Sequence, residues 1–270
     1  MTEPLRPLLD KYLHGEGRLR AWSLIVTILG DAVEIRDKII PSARLAAILD
    51  RLEVSSAAQR TALSRLVKDG WMDRKKLGRN TFYSFSKRGH AEFIPASRLV
   101  YAPPRDPDDC GWVMAASDAQ RGYVVAPGLQ IWPADTAPDV VGVSVTGSLR
   151  IAANVRPYPL ISDQHQVEAE ALAHLLDTMN NGFMAADELD ALAARIILIH
   201  RWRRYILRFP EVPKAAYSGR WVGQDLRARV AVAYWDLSDP ADTWLQRPTD
   251  GFGALSKPFK RYYDRFKKRS

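Results

Sequence analysis

The chain has 270 residues, 47% hydrophobic and 26% charged, with 39 Lys and Arg against 31 Asp and Glu, a formal net charge of +8. That length and balance are ordinary for a soluble globular protein of two or three domains, each with its own core. Cys110 is the only cysteine, which excludes an intrachain disulfide, and the apolar run Leu24 to Leu29 is too short to span a bilayer. Both fit a reducing cytoplasm, where a basic chain points first to nucleic acid and no membrane is implied.

The opening residues, MTEPLRPLLDKYLHGEGRLRAW, lack the apolar run of a signal peptide. Leu5, Leu8, Leu9, Tyr12 and Leu13 recur at helical spacing and predict a short amphipathic helix. Trp22 to Val33 reads as a buried helix. Pro41 opens the next, whose inward face is Leu45, Ile48, Leu49 and Leu52. Ser55 or Ser56 can cap a third helix by accepting a bond from a free backbone N–H, and Asp69-Gly70 ends it. Strands are expected at Trp71–Leu77 and Asn80–Ser86 around a turn at Gly78-Arg79, then a helix from Lys87 toward Tyr101. Ala102 to Asp109, rich in proline and aspartate, reads as a linker. Short strands follow at Trp112–Ala116, Tyr123–Val125, Leu129–Trp132 and Val140–Val145. Helical patterns then run from Gln164 to the end, broken at Asn180–Gly182, Pro210–Pro213, Asp239-Pro240 and Arg247–Gly251.

Charge is unevenly spread. Residues 60–90 hold nine Lys and Arg against Asp69 and Asp73, while residues 135–192 hold nine acids against Arg150 and Arg156. Residues 195–208 and the tail from Lys257 to Arg269 turn basic again. On a helical projection Leu63, Leu66 and Val67 face one way, with Gln59 on the same side. Thr61, Ser64, Arg65 and Lys68 face the other, with Arg60 flanking. Such a helix suits a major groove, since Arg can bond two guanine acceptors while Ser and Thr reach phosphates or base edges. A solvated amphipathic helix would look similar taken alone. The neighbouring hairpin, with Arg74, Lys75, Lys76, Arg79 and Asn80 around its tip, favours DNA.

The runs LIVTILGDAV (24–33), RTALSRLVKDGW (60–71) and KLGRNTFYSFSKRG (76–89) resemble the N-terminal domain of the PaaX family. LIHRWRRYILRFPEVP (198–213), with Trp221 and Gly223, resembles that family's C-terminal domain. The resemblance implies a bacterial repressor of phenylacetate catabolism, released by an aryl-CoA thioester and acting as a homodimer on a double-stranded operator. Three departures stand out: Gln59 replaces an apolar residue, Val222 replaces a proline, and only Asp118–Gly122 remains of a long middle helix. His200, Arg201, Arg204 and Arg208, near one another along a helix, together with Trp202 and Trp221, are the candidate effector site, guanidinium forks for anionic groups and indoles for a ring. The competing reading pairs these arginines with the acidic segment and places the tryptophans in the core.

Neither His165 with Glu168 nor His174 with Asp177 gains the further ligands a metal site needs, and no glycine-rich phosphate loop or nucleophile elbow occurs. No cofactor and no catalysis are expected. The expected fold is α+β: a winged helix-turn-helix over residues 1–101, a truncated ferredoxin-like middle over 102–180 and an all-helical part over 181–270. Ser55 and Ser56 position the third helix. Arg60, Thr61, Ser64, Arg65 and Lys68 read or clamp the duplex, and Lys75, Lys76, Arg79 and Asn80 anchor the wing. The alternative is a winged helix used to dock protein, with the basic tail as a non-specific nucleic-acid contact.

Overall fold

A computed structural model describes residues 3–15, 20–104, 111–116, 122–134, 137, 139, 143–148, 161–209, 211–212, 221–248 and 253–267. The protein is α+β, with two antiparallel sheets set among helices. Of the Asp118–Gly122 remnant of the middle helix only Gly122 is described, and most of the 102–109 linker lies outside the described residues.

The first turns, Glu3–Leu5, α1 (Arg6–Leu8) and Leu9–His14, bury the five apolar residues that helical spacing selects. Helix α2 (Ala21–Ile28) continues into a wider turn, Leu29–Val33, and is buried on nearly every side. That is the expected fate of a helix apolar all round. Its Thr27 hydroxyl is satisfied by the Ser23 carbonyl at 3.0 Å. Strand β1 (Ile40–Pro41) leads directly into α3 (Ser42–Arg51), and α4 (Ser56–Lys68) follows after a short turn. Strands β2 (Met72–Leu77) and β3 (Asn80–Phe85) pair from Met72 opposite Phe85 to Leu77 opposite Asn80, and β1 adds to β3. Gly78, at φ 58°, supplies the positive dihedral that a two-residue hairpin turn requires. Helix α5 (Lys87–Val100) closes this part.

The second sheet runs β5-β6-β4-β7, from β4 (Trp112–Ala116), β5 (Tyr123–Ala126), β6 (Leu129–Pro133) and β7 (Ser144–Gly147). Of the expected Val140–Val145 strand, residues 140–142 lie outside the described residues, and the described strand is Ser144–Gly147, in register opposite Trp112–Ala115. Helices α6 (Asp163–Asn180), α7 (Glu188–Ile206), α8 (Leu226–Asp236) and α9 (Ser238–Gln246) follow. The break before α9 falls at Leu237, and Pro240 sits in the first turn of α9, where its missing N–H costs nothing. Beyond Gln246 the described chain is irregular, with one short 3-10 turn at Lys260–Asp264, rather than helical as expected. Its apolar residues Leu255, Tyr262 and Phe266 are plugs into the core, not one face of a helix.

Helix α7 is the axis of the molecule. It is buried from Asp190 to Trp202, packing on α2, α3, α5, α6, α8 and α9. Where the sequence reads as a basic surface, the structure therefore buries Arg195 and Arg201. Arg195 bonds Asp31 at 3.0 Å and Asp242 at 2.9 Å, Arg36 reaches Asp242 at 2.8 Å, and Arg265 reaches Asp31 at 3.0 Å. Burial opposes the charge on Arg195 and Arg265, yet the surrounding tyrosines and carboxylates more than offset it and hold both guanidiniums charged. Isolated charges at these depths would be untenable; paired, they fix how the N-terminal and C-terminal helices meet.

Candidate nucleic-acid interface and effector end

Ser55 is the residue before the first turn of α4, and its hydroxyl accepts from the Ala58 N–H at 3.3 Å; Ser56 is the first helical residue and is exposed. Gln59, Ala62 and Leu66 form the buried seam, with Leu63 and Val67 half-buried beside it. Ala62 belongs to the seam although the projection centres on its larger neighbours. Gln59 is buried without penalty because its amide donates to the Asp50 carboxylate at 2.7 Å and the Val54 carbonyl at 2.8 Å. The polar departure at this position thus braces α4 against α3.

The opposite face of α4 presents Arg60, Thr61, Ser64, Arg65 and Lys68, all exposed. Thr61 returns its hydroxyl to the Ala57 carbonyl at 2.9 Å. Arg65 makes a 3.3 Å pair with Asp69 one turn on, an exposed contact of the kind that yields readily to a phosphate or base. Gly70, at φ 72°, ends the helix. Arg88 donates to the Asp69 carbonyl at 3.1 Å, and Ser86 donates to the Gly70 carbonyl at 2.6 Å, fastening the base of the hairpin to the helix end. The hairpin then carries Arg74, Lys75, Lys76, Arg79 and Asn80 fully into solvent. Lys87 and Arg88, at the start of α5, share this exposure and add to the same positive surface.

The effector end is arranged differently from the projection along α7. His200 sits in the α2–α7 seam, 3.2 Å from the Thr27 hydroxyl, and burial, then Arg203, Arg204 and Arg201, pushes its pKa down to about 3. It is neutral at physiological pH and so brings no charge to an anion. Buried Arg201 lies 3.7 Å from Glu168, while Arg204 and Arg208 are exposed. Trp202 is in the core, its indole N–H donating to the Val100 carbonyl at 2.7 Å, and Trp221 donates to Gln166 at 2.8 Å. These two tryptophans do come together, with Tyr205, as walls of a cavity of about 50 Å³. The cation there is Arg227, from α8, whose guanidinium lies 5.1 Å from the Trp202 ring and bonds Glu211 at 2.7 Å. Its Nη1 reaches the Leu99 and Ala102 carbonyls at 2.8 and 3.2 Å, touching the end of α5. His165 closes the aromatic group, stacked on Phe209 at 4.6 Å and bonded to the Tyr205 hydroxyl at 2.9 Å. Among the described residues no group of three or more metal-ligating side chains converges, and no helix is long and apolar enough to cross a membrane.

Comparison with known proteins follows these two regions. Residues 20–89 match the model of the PaaX-like protein family, and residues 161–247 match its C-terminal domain. The chain is 27% identical to the transcriptional repressor PaaX of Escherichia coli strain K12, over 90% of this chain and 89% of that one. Among solved structures, the uncharacterized protein Rv0674 from Mycobacterium tuberculosis aligns with a TM-score of 0.47 and 17% identity, over 80% of this chain and 96% of that one. The two family matches take in α2 to the start of α5 and α6 to α9, more than half of the chain, and this protein belongs to the PaaX family of regulators.

Proposed function

We propose that the chain is a sequence-specific DNA-binding transcriptional repressor. Residues 1–101 act as a winged helix, with α4 entering the major groove and the β2–β3 hairpin resting on phosphates. One observation carries this reading: nine cations against two acids within residues 60–90, with the α4 and hairpin cations exposed while Ala62, Leu66, Met72 and Tyr83 are buried behind them. The name of the Escherichia coli relative supports the repressor role. A homodimer on a two-fold operator supplies the specificity that one short helix lacks.

Release by an aromatic acyl-CoA is part of the same proposal. Trp202, Tyr205 and Trp221 line a cavity of about 50 Å³ that must open to admit a planar ring, and it adjoins the end of α5 through Arg227. An inducer then acts by favouring the arrangement that does not bind DNA. The reading is tested by mobility shift on the DNA upstream of the protein's own gene, across a salt series. Preference for that fragment over random DNA supports it, and equal weak binding to both refutes it. Calorimetric titration with phenylacetyl-CoA and related thioesters tests the release; no heat across that panel refutes the effector part alone.

A further inference from the structure

Helix α3 is held at both ends by the C-terminal helices. Near its start, Arg44 is fully buried and donates to the carbonyls of Trp244 and Leu245 at 2.8 and 3.3 Å and of Arg247 at 2.7 Å. These carbonyls close the last turn of α9, where the Trp244 oxygen also accepts the Arg247 N–H at 3.3 Å and the Leu245 oxygen the Leu255 N–H at 2.9 Å, and a cation there meets the negative end of the helix dipole. The guanidinium lies 4.8 Å from the Trp244 ring as well. At the other end of α3, Arg51 forks onto Asp187 at 3.0 to 3.1 Å and also bonds Asp190. Asp187 is itself the cap of α7, accepting from the Asp190 N–H at 2.7 Å. One helix thus ties the C-terminus of α9 to the N-terminus of α7. Between the two ties lies an open cleft of about 380 Å³ walled by Arg51, Asp187, Glu188, Leu189, Trp244 and Arg247.

We propose that α3 is a clasped bar that passes the arrangement of α7 and α9 on to α4, making Arg44 and Arg51 positioning residues for DNA recognition. The hand-over is local. Asp50, beside Arg51, accepts the 2.7 Å bond from Gln59 that braces α4, so α3 cannot shift without carrying the start of α4 with it. The cleft leaves room for the α7 and α9 ends to change their separation, which the two guanidiniums oppose together with Arg247, bonded to Glu188 across it at 2.5 Å. The DNA part of this proposal rests on the repressor reading above; the mechanical part does not.

The test uses the full chain with Asp187→Ser, which keeps a side chain able to cap α7 but removes the carboxylate on which Arg51 forks, leaving it Asp190 alone. Arg51→Gln attacks the same tie from the other side. In the DNA-free protein, amide exchange over residues 56–68 should quicken about fivefold while residues 72–85 stay unchanged. Affinity for the upstream fragment should fall about three- to tenfold with an unaltered salt slope, because neither residue touches phosphate. Folded variants whose α4 exchanges as in the parent protein would overturn the proposal. So would a loss of affinity that comes entirely with a shallower salt slope. If the parent protein shows no preference for its fragment, the repressor reading fails, and the exchange measurement still decides whether the bar transmits.

Discussion

Arg265 reaches back to Asp31, near the other end of the chain, donating one N–H group to its carboxylate and its main-chain oxygen, each at 3.0 Å. The Asp31 carboxylate also accepts from Arg195 at 3.0 Å and from the Tyr101 hydroxyl at 2.9 Å. Three elements distant in sequence therefore converge on one buried anion. Asp31→Asn leaves two buried guanidiniums short of their counter-charge and should destabilise the fold by about 3–5 kcal/mol, read as a lower urea midpoint.

Gln59→Leu keeps the bulk of the side chain and removes its two donated bonds. Asp50, which is exposed, then turns to water, and the buried Val54 carbonyl loses a partner. The expected cost is about 1–3 kcal/mol, measured by denaturant unfolding, although the substitution makes the seam more apolar. A gain in stability would show that packing, not the brace, governs this joint.

His200 makes stability depend on pH in a definite direction. Its pKa is near 3 in the folded chain and near 6.5 when unfolded, so the unfolded state binds the proton first. Stability from this residue is full above about pH 6.5 and is lost as pH falls toward 3, at roughly 1.4 kcal/mol per unit. Unfolding of the parent protein and of His200→Gln across pH 4 to 7 should show the steeper fall in the parent. Parallel curves would mean that His200 is protonated in place.

Substitutions on the exposed surface separate reading from anchoring. Arg65→Ala should weaken binding chiefly to the preferred sequence, by about 1–3 kcal/mol. Lys75→Ala and Arg79→Ala should weaken binding to all sequences and reduce the salt slope by about one each. Mobility shifts on preferred and random DNA at several salt concentrations check both.

The N-terminal architecture was largely legible because its signals are local. Ser55 at a helix start, Gly70 at its end and Gly78 at a turn are each decided by the residues around them. The C-terminal site was less legible. Arg195, Arg201 and Arg265 look like surface residues in a linear reading, and only the distant Asp31, Glu168 and Asp242 account for their burial. Arg44 offers no sign of its role because its partners are carbonyls two hundred positions away. Trp202 and Trp221 line one cavity, and the cation beside them is Arg227, which follows Trp221 rather than lying on the α7 face.

The central claim is that α4 and the β2–β3 hairpin grip a duplex together. Footprinting on the upstream region of the protein's own gene tests it most directly, comparing the parent with a variant in which Arg65, Lys75, Lys76 and Arg79 are all alanine. The account predicts a discrete protected site for the parent and none for the variant at the same concentration, with both proteins equally folded. Protection that survives all four substitutions would place the contact elsewhere on the molecule and contradict it.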